Sequence, residues 1–96
     1  MPKKQIPKDI NAVKTDIQAI AELMQSVLED HQVPRNIRGA VDEAKRTILN
    51  AKESMELSKA IYLLDDVSND INLPAHSRTD LWTIISELEA LKEKLG

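Results

Sequence analysis

Cysteine is absent from the 96 residues, as is phenylalanine; glycine and histidine each appear twice, tryptophan and tyrosine once each. Each shortage removes a class of chemistry. Without cysteine there is no disulfide framework, no thiolate metal site and no thiol nucleophile. Two glycines cannot build a Gly-rich phosphate loop, and Ser26, Ser58, Ser68, Ser77 and Ser86 lack the Gly-x-Ser-x-Gly setting of a nucleophile elbow. Two histidines leave little for imidazole chemistry. Long apolar runs are missing too: no stretch approaches the roughly 20 residues of a bilayer span, and none follows Met1–Lys8 as a leader would require. A cytoplasmic chain with no membrane segment is the expectation.

What is present is aliphatic and charged. Forty residues are apolar, 26 of them Ile, Leu or Val, and charged residues make up 30%. This length supports one domain, since a second core would have no side chains left. The net charge of −3 is too small to define a partner by overall steering. Its distribution is uneven, however. Residues 1–8 carry three Lys, residues 34–52 carry five basic against two acidic groups, and residues 53–91 carry eight acidic against two basic.

Apolar residues recur at Ile6, Ile10, Val13, Ile17, Ile20, Met24 and Val27, a 4-3 spacing that places one stripe along a helix over about 7–30. Pro7 marks its start, and Pro34 ends the region because a proline inside a helix clashes with the preceding turn. Pro34 then suits the first position of a second helix, about 34–51, with Ile37, Val41, Ala44, Ile48 and Ala51 inward. Gly39 costs that helix about 1 kcal/mol against Ala, which a close helix contact would offset. Ser54 is the expected N-cap of a third helix, about 55–70, with Leu57, Ile61, Leu64, Val67 and Ile71 as its stripe. Pro74 opens a fourth, about 74–95, built on Leu81, Ile84, Leu88, Leu91 and Leu95. Four amphipathic helices on short loops bury their stripes against one another, so the predicted fold is all-α: a single-domain antiparallel four-helix bundle.

Shifting the chain by 40 residues superposes Val27, Asp30, Pro34 and Arg38 on Val67, Asp70, Pro74 and Arg78. The bundle is therefore two similar helical hairpins, and the unit resembles the hairpin of HEAT-type repeats, whose period is about 40 to 47. Asp30 and Asp70, each at a helix exit before Pro34 and Pro74, are expected to accept from the free N–H groups opening the next helix. Arg38 and Arg78 are expected to reach the same carboxylates and fix the corner.

Four stretches carry a resemblance: Val33-Pro-Arg-Asn-Ile-Arg38, Leu64-Asp-Asp-Val-Ser-Asn-Asp70, Leu73-Pro-Ala-His-Ser-Arg78 and Trp82-Thr-Ile-Ile-Ser-Glu-Leu-Glu89. From Ile20 to Leu91 the chain resembles a small, uncharacterised archaeal family of all-helical proteins. The resemblance implies a four-helix bundle in an archaeal cytoplasm and assigns no activity and no functional residue. Residues 1–8 and 51–54 do not match the family pattern.

Three candidate sites remain. Same-end turns would gather Asp30, His31, Asp70 and His76, a possible metal site that lacks the Glu-x-x-His pairs of di-iron bundles. Arg35, Arg38, Lys45, Arg46 and Lys52, with Lys3, Lys4 and Lys8, could form a phosphate-contacting strip, interrupted by Asp42 and Glu43. Trp82 and Tyr62 lie beside the core stripes; an excess of apolar residues on the fourth helix would leave Trp82, Ile85 and Leu81 as an exposed patch for a protein partner or a homodimer. The carboxylate neighbours Asp65/Asp66 and Asp42/Glu43 do not face each other and form no acid–base pair. The sequence thus favours a non-enzymatic structural or protein-interaction module without cofactor. Candidate interaction residues are Arg35, Arg38, Arg46, His76, Arg78 and Trp82; a nucleic-acid-associated protein and a metal-dependent activity are the alternatives.

Overall fold

Proline or glutamate, rather than serine, stands immediately before three of the four helices of this chain. The computed structural model describes residues 10–95: a 3-10 turn at Ile10–Val13, then α1 (Lys14–Leu28), α2 (Arg35–Leu49), α3 (Ser54–Ser68) and α4 (Ala75–Leu95). The expected start at Pro7 lies outside these residues. Pro34 stands one place earlier than expected, at the N-cap of α2 with extended backbone (φ −58°, ψ 151°), and its carbonyl accepts the Ile37 and Arg38 N–H groups. A ring nitrogen without a proton costs nothing at a position outside the hydrogen-bonded ladder. The Pro74 carbonyl accepts the Arg78 N–H in the same way.

The N-cap of α3 is Glu53, not Ser54. Glu56 Oε1 accepts the backbone N–H of Lys52 at 2.6 Å and of Glu53 at 3.1 Å, closing a capping box. Register decides the cap. Had Ser54 been the cap, the third helical position would have fallen on Leu57, which is fully buried and cannot accept.

The bonds made by Asp30 and Asp70 in the two hairpin turns repeat at an offset of 40. Asp30 and Asp70 donate their N–H groups to the carbonyls of Val27 and Val67, and their own carbonyls accept from Val33 and Leu73. Asp30 Oδ1 accepts the Gln32 N–H at 2.9 Å, and Asp70 Oδ1 the Asn72 N–H at 2.8 Å. These are Asx turns, so each carboxylate serves its own loop instead of the next helix's N-terminus. The arginines also depart from expectation, reaching backbone carbonyls and not carboxylates. Arg38 Nε donates to Val33 O, while Arg78 donates to Ser68 O, Asp70 O and Leu73 O. The last carbonyls of a helix have no N–H partner, and a guanidinium with five donors satisfies several at once.

Inside, the core holds no aromatic side chain: Ile17, Ile20, Met24 and Val27 come from α1; Ile37, Val41, Ala44 and Ile48 from α2; Leu57, Ala60 and Leu64 from α3; Leu81, Ile84, Leu88, Leu91 and Leu95 from α4, with Ser68 and Ser77 buried beside them. The α3 stripe is rotated from the one expected. Ala60 and Ser68 point inward, Ile61 and Val67 are half-buried, and Ile71 lies beyond the helix, 89% exposed. Each helix packs on its neighbour in sequence, and α1 packs on α4 to close the ring. Two contacts prove the α1/α4 pair antiparallel. His76 at the start of α4 meets Asp30 beyond the end of α1, and Lys94 at the end of α4 meets Asp16 at the start of α1. The result is the four-helix bundle of two similar hairpins, with no strand among the described residues.

Candidate functional site

The two hairpin turns share one end of the bundle. There His76 Nε2 and Asp30 Oδ2 lie 2.7 Å apart, joining the hairpins. His76 and then the Gln32 N–H hold the Asp30 carboxyl below the usual carboxylate range. The other expected members stay away: His31 is exposed, and Asp70 is occupied by its own turn. Among the described residues no three His, Cys, Asp or Glu side chains come together to hold a metal. The proposed metal end is a two-residue latch instead.

The basic strip on α2 divides as well. At 100° per residue Arg35 and Arg46 share one face, with Arg38 and Lys45 about a quarter turn away. Arg46 Nε pairs with Asp42 Oδ2 at 3.2 Å, Lys45 Nζ donates to Gln25 Oε1 at 2.6 Å, and Arg38 is spent on the turn. Arg35 and Lys52 are exposed; Lys3, Lys4 and Lys8 fall outside the described residues. The Arg78 guanidinium, another candidate contact, is also turned onto its own backbone.

The aromatic side chains stand further out than a core margin. Tyr62 is 78% exposed and Trp82 54%, whereas Leu81, expected in the same patch, is fully buried. Ile61, Tyr62 and Ile85 line a shallow groove of about 370 Å³ between α3 and α4, with Ser58, Asp65, Glu89 and Lys92 along it. Trp82 sits one turn before Ile85 on the same side of α4. A second groove of similar size, between α1 and α4, is spanned by the Lys94–Asp16 ion pair at 3.1 Å.

Sequence reading missed the α3 wall of the first groove, Ile61 and Tyr62. The 40-residue shift held a signal for it. Tyr62, Trp82, Ile85 and Asp65 superpose on Glu22, Asp42, Lys45 and Gln25 of the first hairpin. There the same positions carry ordinary polar surface: Asp42 pairs with Arg46, and Lys45 reaches across α1 and α2 to Gln25. One hairpin is bridged where the other is open and apolar.

Residues 3–91 match the pattern that defines an uncharacterised protein family, UPF0147, so residues 51–54 and most of 1–8, expected outside the family pattern, fall within the match. The chain belongs to that family. A UPF0147 protein of the archaeon Methanocaldococcus jannaschii is 41% identical over 78 residues, covering 79% of this chain and 84% of that one. The UPF0147 protein of Methanosarcina acetivorans is 38% identical over 93 residues, 95% of this chain and 96% of its own. A crystal structure of a UPF0147 protein from Thermoplasma acidophilum superposes with a TM-score of 0.74 at 35% identity, covering 83% of this chain and 98% of that one. The family resemblance drawn from the four sequence stretches therefore holds, and UPF0147 carries no enzymatic or nucleic-acid-binding name. No helix among the described residues is long and apolar enough to cross a membrane.

Proposed function

We propose that this UPF0147 chain is a non-enzymatic protein-interaction module of the cytoplasm, which presents the outer face of the α3–α4 hairpin to a protein partner. One observation carries the reading: the chain has two aromatic side chains, and both stand in solvent around a core that holds none. Leaving such a side chain out of a core forgoes about 2 kcal/mol of burial. Exposed tyrosine and tryptophan recover that energy when a partner covers them, and these residue types dominate binding hot spots.

The catalytic alternative finds little to use. The carboxylates with a lowered pKa, Asp30 and Glu56, are each held by hydrogen bonds that build a turn or a cap, and neither lines a groove described above. Engagement of Arg38, Lys45 and Arg46 within the molecule puts nucleic acid in second place.

Site-specific photo-cross-linking in cells tests the reading. A photoreactive phenylalanine at position 62 or 82 is expected to give a discrete protein adduct, and one at position 22 or 42, the matching places on the first hairpin, none. Equal adducts from all four positions, no adduct from any, or adducts that nuclease removes would overturn it.

A further inference from the structure

Resting on the reading of the α3–α4 face as a docking surface, we infer the class of its occupant: an amphipathic helix with an aliphatic stripe flanked by lysine or arginine. Three observations lead there. The first is internal to the molecule. Glu22, Asp42 and Lys45 show that the hairpin folds with polar groups at the positions of Tyr62, Trp82 and Ile85. The fold therefore does not require apolar side chains there, and a surface role is left for them.

The second is shape. Both walls of the groove are helices, whose backbone groups are paired within each helix, so no edge is offered to an added strand. A trough between two packed helices takes a third rod, and anchors at i, i+3 or i+4, and i+7 would fill it. From Trp82 to Lys92 the rise is about 15 Å, or roughly three turns of a bound helix.

The third is charge. Asp65 on the α3 wall and Glu89 on the α4 wall flank the apolar floor of Ile61 and Ile85. Among the described residues no ion pair neutralises Asp65, Asp66 or Glu89. Residues 53–91 hold eight acidic groups against two basic; Glu56 and Asp70 are taken up by a cap and a turn, and Arg78 is likewise consumed by its turn. Lys92, at one end of the groove, is the exception. An occupant with basic flanks meets this field; one with acidic flanks is repelled.

Two synthetic helical peptides of about 14 residues, with one leucine stripe and either Lys or Glu flanks, test the inference on the full chain by amide chemical shifts. Trp82, the single tryptophan, adds a fluorescence readout. The Lys peptide is expected to shift α3 and α4 signals and blue-shift Trp82 emission, binding at least about tenfold tighter than the Glu peptide and weakening as salt rises. Tyr62→Gln, which removes the aromatic anchor without adding charge at a site exposed enough to leave the fold intact, should weaken that binding. Adding Trp82→Asp and Ile85→Lys, the first hairpin's residues, should abolish it. Equal binding of the two peptides would overturn the basic-helix assignment while leaving a docking face in place. Shifts that survive the triple variant, or spread over α1 and α2, would overturn the groove. Binding of neither peptide would overturn the inference, and the cross-links at 62 and 82 judge the broader reading independently. A dimer in sedimentation that dissolves in the triple variant would replace the helix by a second copy of the chain.

Discussion

Single residues in this chain do work that their type alone does not announce. The sequence points Arg78 at the Asp70 carboxylate, yet its guanidinium serves three backbone carbonyls around one turn, whereas its counterpart Arg38 serves one. Sequence marks the position through the 40-residue shift, but the acceptors are backbone carbonyls, one of them (Asp70 O) already accepting the Leu73 N–H, and no side-chain pattern announces them. Ser68 and Ser77 are similar cases. Both are buried where the first hairpin has Leu28 and Ile37; Ser68 Oγ donates to the Asp65 carbonyl, and Ser77 Oγ has no partner among the described residues. Gly39 gives a direct test at this scale. The expected close helix contact is not there: among the described residues, and leaving out its own helix backbone and chain neighbours, no atom lies within 4 Å of the place a Cβ would occupy. Gly39→Ala should therefore stabilise the protein by about 0.5–1 kcal/mol, the ordinary helix penalty of glycine. Thermal unfolding checks it; a lower melting temperature would mean that glycine is needed there.

At the level of elements, the aliphatic stripes of α1, α2 and α4 were legible because residues such as Ile17, Ile20, Met24 and Val27 keep helical spacing without competitors. The face of α3 was not, because it contains more apolar residues than one face can bury. Ile61 and Ala60 are adjacent, and neighbours fill the space with the smaller one. That one-residue rotation brings Ile61 and Tyr62 to the groove. The start of α3 also rests on a titratable group. Two N–H donors, Lys52 first, hold the Glu56 carboxyl below its ordinary range. A carboxylate whose folded pKa is depressed contributes stability above its unfolded pKa and loses it as pH falls through the folded value. The cap, together with the Asp30 contact, should therefore weaken below about pH 4. Glu56→Gln keeps an acceptor but has no proton to gain. Its unfolding midpoint should fall less steeply than the wild type's on acidification, and an unchanged slope would place the acid sensitivity elsewhere.

For the whole molecule, four helices and their duplication were open to sequence reading, since Asp30/Asp70 and Pro34/Pro74 mark identical corners. The groove was not, because openness is a difference between halves: it requires knowing that Lys45 bridges to Gln25 while Ile85 bridges to nothing described here. The same duplication makes a prediction about assembly. Each hairpin offers only half of the shared core, so chains cleaved between Asn50 and Glu53 should be poorly helical apart and regain helicity when mixed in equal amounts, as circular dichroism would show. A fragment that folds alone, or a mixture that stays uncoiled, would refute this. A molecule put together from twin halves also has spare latitude. While one twin keeps Glu22, Asp42 and Lys45 at the places of Tyr62, Trp82 and Ile85, the other is at liberty to vary, and its sibling remains as a record of what the unspecialised version looked like.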